Sequence, residues 1–168
     1  MVKKTLFALL LILIAALLQS TLFFRLSIYY AVPDIALLVL VFVSYVNGSL
    51  MGQATGFLGG LLLDFISFSP LGLNLLVRTV TGYLVGLLRG VFFLDRVFLP
   101  AVLCAGATFL KAGLLLVLNL LFAGAIPVYN FLAPPFWIEL AMNTALAPFL
   151  FMFFSLFGKL LVMEKSKL

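Results

Sequence analysis

The chain has 168 residues, 66% of them hydrophobic and only 9% charged, with a formal net charge of +5, one cysteine and no histidine. A soluble domain of this size carries charge on about a quarter of its residues, so there is too little polar surface here to cover a globule in water. Composition excludes an internal disulfide framework, a cysteine metal cluster and the usual histidine-based sites for zinc, haem or nucleophilic catalysis. It points instead to an all-α, polytopic membrane protein.

The N-terminal stretch MVKKTLFALLLILIAALLQ has the two lysines and apolar core of a signal peptide. No small-x-small cleavage site precedes polar sequence, so the stretch predicts a retained first helix over 5–24. Pro33 and Asp34 suit a helix N-terminus: proline has the φ of a first turn, and an acid meets the positive end of the helix dipole. They open a second helix over 33–46, short for a crossing, which Asn47-Gly48-Ser49 closes as a turn. Further helices are expected over 50–66, 71–88, 97–122 and 135–162. The longest loop, AGAIPVYNFLAPP, has 13 residues (123–135). That leaves no extramembrane domain, and residues 1–168 read as one transmembrane domain.

Six crossings put both termini on one side, together with Lys3, Lys4, Arg89, Arg96, Lys159, Lys165 and Lys167; the other side receives only Arg25. An excess of Lys and Arg marks the cytoplasmic face, so both ends are expected inside. Tyr29, Tyr30, Tyr129 and Trp137 then fall at the outer interface, where amphipathic rings prefer to sit. The positive charge thus reports topology. No dense basic patch suggests nucleic acid.

Two glycine series stand out. Helix 3 carries Gly48, Gly52, Gly56 and Gly60, followed by Asp64; helix 4 carries Asn74 and Arg78, followed by Gly82, Gly86 and Gly90. A four-residue step advances about 400° around a helix, so each series forms a slowly winding ridge. Such ridges let backbones approach closely, and in lipid close packing is a principal source of helix association. Antiparallel across the Ser67–Gly72 turn, the ridges would bring Asp64 opposite Asn74 and Arg78. An unpaired charge inside the membrane costs about 2.5–3.5 kcal/mol or more, so Asp64 and Asn74 are the expected partners of Arg78. Three roles are open for this polar cluster: a structural clamp, a polar pocket facing the outside or a partner helix, or a proton or ion relay. Lys111, near the middle of helix 5, is a further buried charge that must face an interior, a cavity or a partner. Asn119 and Asn143 are its candidate polar neighbours, while Glu139 near the start of helix 6 and Cys104 read as structural.

Pro33-Asp34 opening helix 2, the glycine-rich helix 3 ending GGLLLD, the turn SPLGLN and TGYLVGLLRG closing helix 4 resemble the MreD family over residues 33–90. These are bacterial rod shape-determining membrane proteins. The resemblance implies a non-enzymatic scaffold, without a cofactor, in the bacterial inner membrane. It implies MreC as the partner, and through MreC the elongation machinery of lateral peptidoglycan synthesis: MreB, RodA and a class B penicillin-binding transpeptidase. The family is also similar in fold to the six-helix S-components of energy-coupling-factor vitamin transporters, which supply the alternative function. Helix 1 holds Ala8, Ala15 and Ala16 but no Ala-x-x-x-Ala pair for docking a transport module. The outer loops are also poor in groups that would grip a charged vitamin. Both departures favour the scaffold.

Overall fold

The computed structural model describes residues 2–19, 31–67, 69–91, 97–122, 131 and 133–161. Its helices are α1 (Val2–Leu18), α2 (Ile35–Asn47), α3 (Ser49–Ile66), α4 (Leu73–Leu87), α5 (Phe98–Leu121), α6 (Pro134–Leu156) and one further turn, α7 (Gly158–Leu161). Three of them, α3, α5 and α6, are long and apolar enough to cross a membrane. Tyr29, Tyr30 and Tyr129 lie outside the described residues, as do Arg25, Arg96, Lys165 and Lys167.

The short helix α2 is the axis of the bundle. Its sequence IALLVLVFV is apolar on every side, and a helix without a polar face belongs in an interior. Every residue from Ala36 to Ser44 is buried, and α2 touches α1, α3, α4, α5 and α6. At about 20 Å for 13 residues it falls short of a hydrocarbon core, which is tolerable for a helix wrapped in protein. Its start is fixed by Asp34, the N-cap, whose Oδ1 accepts the Leu37 N–H at 2.9 Å. At its end, Asn47 Nδ2 donates to the carbonyls of Val43 and Leu161, both at 2.9 Å. Gly48 alone separates α2 from α3, at φ +93°, a conformation that side chains with a Cβ disfavour.

Helices α3 and α4 form an antiparallel hairpin along their glycines. A Cβ on Gly52 would strike the Gly82 carbonyl, and one on Gly82 the Gly52 carbonyl. Gly56 lies against the backbone of Arg78 and Thr79, Gly60 against that of Asn74 and Leu75, and Gly86 against Gly48 and Ser49. The two ends of the series differ. Gly90 falls beyond α4 in a turn at φ +76°, with nothing within 4 Å of its Cβ position, so it packs against no helix. A Cβ on Gly48 would meet only the side chain of Arg89, whose Nη1 donates to the Asn47 carbonyl at 2.8 Å.

The remaining helices close around this unit. Ala8, Ile12 and Ala15 of α1 enter the core, with Ile12 filling the space at Gly59. Phe151 and Phe154 of α6 pack on Phe42 of α2, at ring-centroid distances of 5.1 and 5.5 Å. Large apolar side chains cover the outside, among them Leu6, Leu10, Leu120, Phe149, Met152 and Leu156. So much exposed apolar surface would drive aggregation in water and is the expected dress of a bundle in lipid.

Candidate functional site

Four ionisable side chains from four parts of the chain meet inside one end of the bundle. Arg78 Nη2 donates to Asp34 Oδ1 at 2.9 Å and to Oδ2 at 3.1 Å. Lys111 Nζ, from α5, donates to Asp34 Oδ2 and to Glu139 Oε1 of α6, both at 2.8 Å. Asp34, Arg78 and Glu139 are buried; Lys111 is the most accessible of the four, with its side chain 18% exposed. Neutral groups extend the network. The Asp34 N–H donates to Asn143 Oδ1 at 2.8 Å, Asn143 Nδ2 donates to Thr108 Oγ1 at 3.1 Å, and Thr108 Oγ1 donates to the Cys104 carbonyl at 2.8 Å. Two acids balance two bases. Desolvation makes such a cluster costly to assemble, and removing one member of a buried pair strands its partner's charge.

Arg78 is therefore paired with Asp34 and not with Asp64, contrary to the expectation from the hairpin. The reason is that Asp64 is already saturated. Its Oδ2 accepts the N–H groups of Gly72 at 2.9 Å and Leu75 at 3.1 Å; its Oδ1 accepts the Asn74 N–H at 2.9 Å and Asn74 Nδ2 at 3.0 Å. Four donors occupy the roughly four lone-pair sites of a carboxylate. They are mostly the orphan amides of the α4 N-terminus, where the helix dipole also favours an anion. Asn74 Nδ2 further reaches Ser69 Oγ at 2.8 Å. Asp64 and Asn74 thus tie the hairpin tip, and Arg78, one turn into α4, reaches past them to the start of α2.

Asp34 is the network member that sequence reasoning missed. It reads as an ordinary N-terminal acid, and it does cap α2, but its carboxylate also takes both cations. The available signal was directional: the starts of α2, α4 and α6 share one end of an alternating bundle, which puts Asp34, Arg78 and Glu139 at similar depth. Lys111 joins them from the later half of α5.

A cavity of about 560 Å³ opens beside the network. Arg78, Lys111, Glu139, Asn74 and Ser69 supply polar lining, while Leu37, Leu73, Val77, Leu115 and Phe136 supply apolar wall. A second, apolar cavity of about 280 Å³ adjoins it between the hairpin tip and α5, and Leu73 lines both. Among the described residues, no group of three acids or cysteines is placed to hold a metal.

Residues 2–157 match the family described as rod shape-determining protein MreD. No curated protein and no solved structure matches the chain.

Proposed function

This chain belongs to the MreD family of rod shape-determining membrane proteins, and from that premise we propose that it is a non-enzymatic scaffold of the bacterial elongation machinery. In this reading it sits in the inner membrane as one domain of six crossings, with both termini inside. It binds MreC there and supports lateral peptidoglycan synthesis beside RodA, a class B transpeptidase and MreB. The observation that carries the proposal is the family match, which spans nearly the whole chain.

The physical character of the bundle supports it. Its polar groups are spent on fixing helices: Asp64 on the α4 amides, Asn47 on the ends of α2 and α7, and the four-charge network on joining α2, α4, α5 and α6. A body held this way presents a constant outer surface, as a scaffold requires. The glycine hairpin contributes the same rigidity by close backbone contact.

Co-purification tests the proposal. The tagged chain, extracted in mild detergent from a host that carries MreC, should bring MreC with it and should restore rod shape to cells lacking their own family member. Recovery of an energy-coupling ATPase module in place of MreC would overturn the scaffold reading.

A further inference from the structure

The wall of the larger cavity holds neutral polar groups whose hydrogen-bonding capacity is unused within the chain. Gln19, one residue past α1, lines it, and among the described residues its carboxamide has no hydrogen-bond partner. Asn74 Nδ2 donates to Asp64 and Ser69, but Asn74 Oδ1 accepts nothing among the described residues. Ser67 and Ser69 bond to each other through one hydroxyl hydrogen, which leaves the second hydrogen of the pair for an outside acceptor. All four side chains face the same space. We propose that this cavity binds the head of an uncharged, hydroxyl-rich lipid, a sugar carried on a diacylglycerol.

Charge excludes the ionic alternatives. Asp34, Arg78, Lys111 and Glu139 balance among themselves. The Arg78 nitrogens not engaged by Asp34 are enclosed by protein, and Lys111 is held between two acids. An added anion or cation would enter without a counterion, and an uncompensated charge away from water is costly. The unused groups are also of mixed kind. Gln19 offers two N–H donors and an acceptor, Asn74 Oδ1 an acceptor, and the serine pair a donor. A hydroxyl donates and accepts, so it can meet either kind, whereas ester and ether oxygens only accept. The cavity of about 560 Å³ falls within the roughly 300–1,000 Å³ of ligand sites. That space suits several hydroxyls on one ring better than the single hydroxyl of a diacylglycerol.

The apolar wall sets the rest of the ligand. Leu73 lines both the polar cavity and the adjoining apolar one, whose other walls include Pro70, Leu76, Leu118 and Phe122. A head held beside Asn74 thus continues into an acyl chain along the seam between α4 and α5. This inference does not depend on which protein partners the bundle engages.

The test is a titration of the purified full-length chain with dioctanoyl glucosylglycerol, in a polyoxyethylene detergent so that no detergent sugar competes. Three comparisons separate the parts of the ligand: dioctanoylglycerol lacks the sugar, glucosylglycerol lacks the chains, and dioctanoyl phosphatidylglycerol has hydroxyls but carries a charge. Saturable binding of the glucosyl lipid is expected, with each comparison about tenfold weaker or worse. Gln19→Leu should weaken binding about three- to tenfold, as fits the loss of one or two neutral hydrogen bonds. It breaks no hydrogen bond within the described chain, so its melting temperature should stay near that of the wild type. Leu73→Trp, which fills the junction of the two cavities, should weaken binding about tenfold. Equal binding of dioctanoylglycerol or of phosphatidylglycerol would overturn the proposal, since the head would then be neither read as a sugar nor selected as uncharged. Equal binding of glucosylglycerol would overturn it as a lipid site. Undiminished binding by the Gln19→Leu chain, or no saturable binding at all, would also overturn it. The wild-type comparisons decide the matter even where a variant does not fold.

Discussion

Asp34 and Arg78, 44 residues apart in sequence, are joined through a single guanidinium nitrogen that lies 2.9 and 3.1 Å from the two carboxylate oxygens. The contact ties the first residue before α2 to the second turn of α4. It also leaves Asp34 with two further duties, capping Leu37 and holding Lys111.

Neutralising either partner should therefore cost more than a surface charge would. Asp34→Ala removes the cap, strands Arg78 and leaves Lys111 with Glu139, and should lower stability by about 3–5 kcal/mol; Arg78→Gln leaves Asp34 paired with Lys111 and should cost less. Thermal unfolding in detergent measures this. Exchanging the charges of Asp64 and Arg78 (Asp64→Arg with Arg78→Asp) should give no recovery over the single changes, because those two side chains are not partners.

Asp64→Asn should act locally. It weakens the acceptor for the amides of Gly72, Asn74 and Leu75 at a cost of about 1–3 kcal/mol. Hydrogen exchange should quicken at those three amides and remain unchanged at Leu37, whose acceptor is Asp34.

Glycines of one chemistry should respond in opposite ways. Gly56→Ala drives a methyl group into the Arg78 carbonyl, and the close approach of α3 and α4 must give way. Gly106→Ala on α5 meets nothing within 4 Å and should stabilise the chain by about 0.5–1 kcal/mol through lost backbone freedom. Melting temperatures of the two variants provide the comparison.

Topology is open to labelling, because the native thiol is buried. Leu50 at the α3 start and Leu71 at the hairpin tip are about three-quarters exposed. As cysteines in a Cys104→Ala background, they should react with impermeant reagents from opposite faces of the membrane. Leu50→Cys is expected inside and Leu71→Cys outside. Labelling of both from one side would contradict the proposed crossings.

The hairpin was legible in sequence because its signal is local and periodic. Glycines at four-residue intervals on both sides of a short turn admit few arrangements other than two backbones in contact. Asp64 and Asn74 also fall close together for the same reason. The partner of Arg78 was not legible, because the choice between Asp34 and Asp64 depends on which acid has spare acceptors. That depends on the turn geometry that aims the α4 amides at Asp64. Gly90 misled in the opposite sense: it keeps the four-residue spacing, but α4 ends at Leu87 and the spacing continues into a left-handed turn. The central position of α2 was readable from its all-round apolar sequence, whereas its shortness suggested only a poor crossing.

Arg78 contributes to two interfaces with different parts of itself. Its carbonyl rests against Gly56 in the hairpin seam, while its guanidinium holds Asp34 at the bundle axis. One residue thus serves both the backbone seam of the hairpin and the ion pair at the bundle axis, so a change that displaces the α4 backbone at position 78 acts at both places.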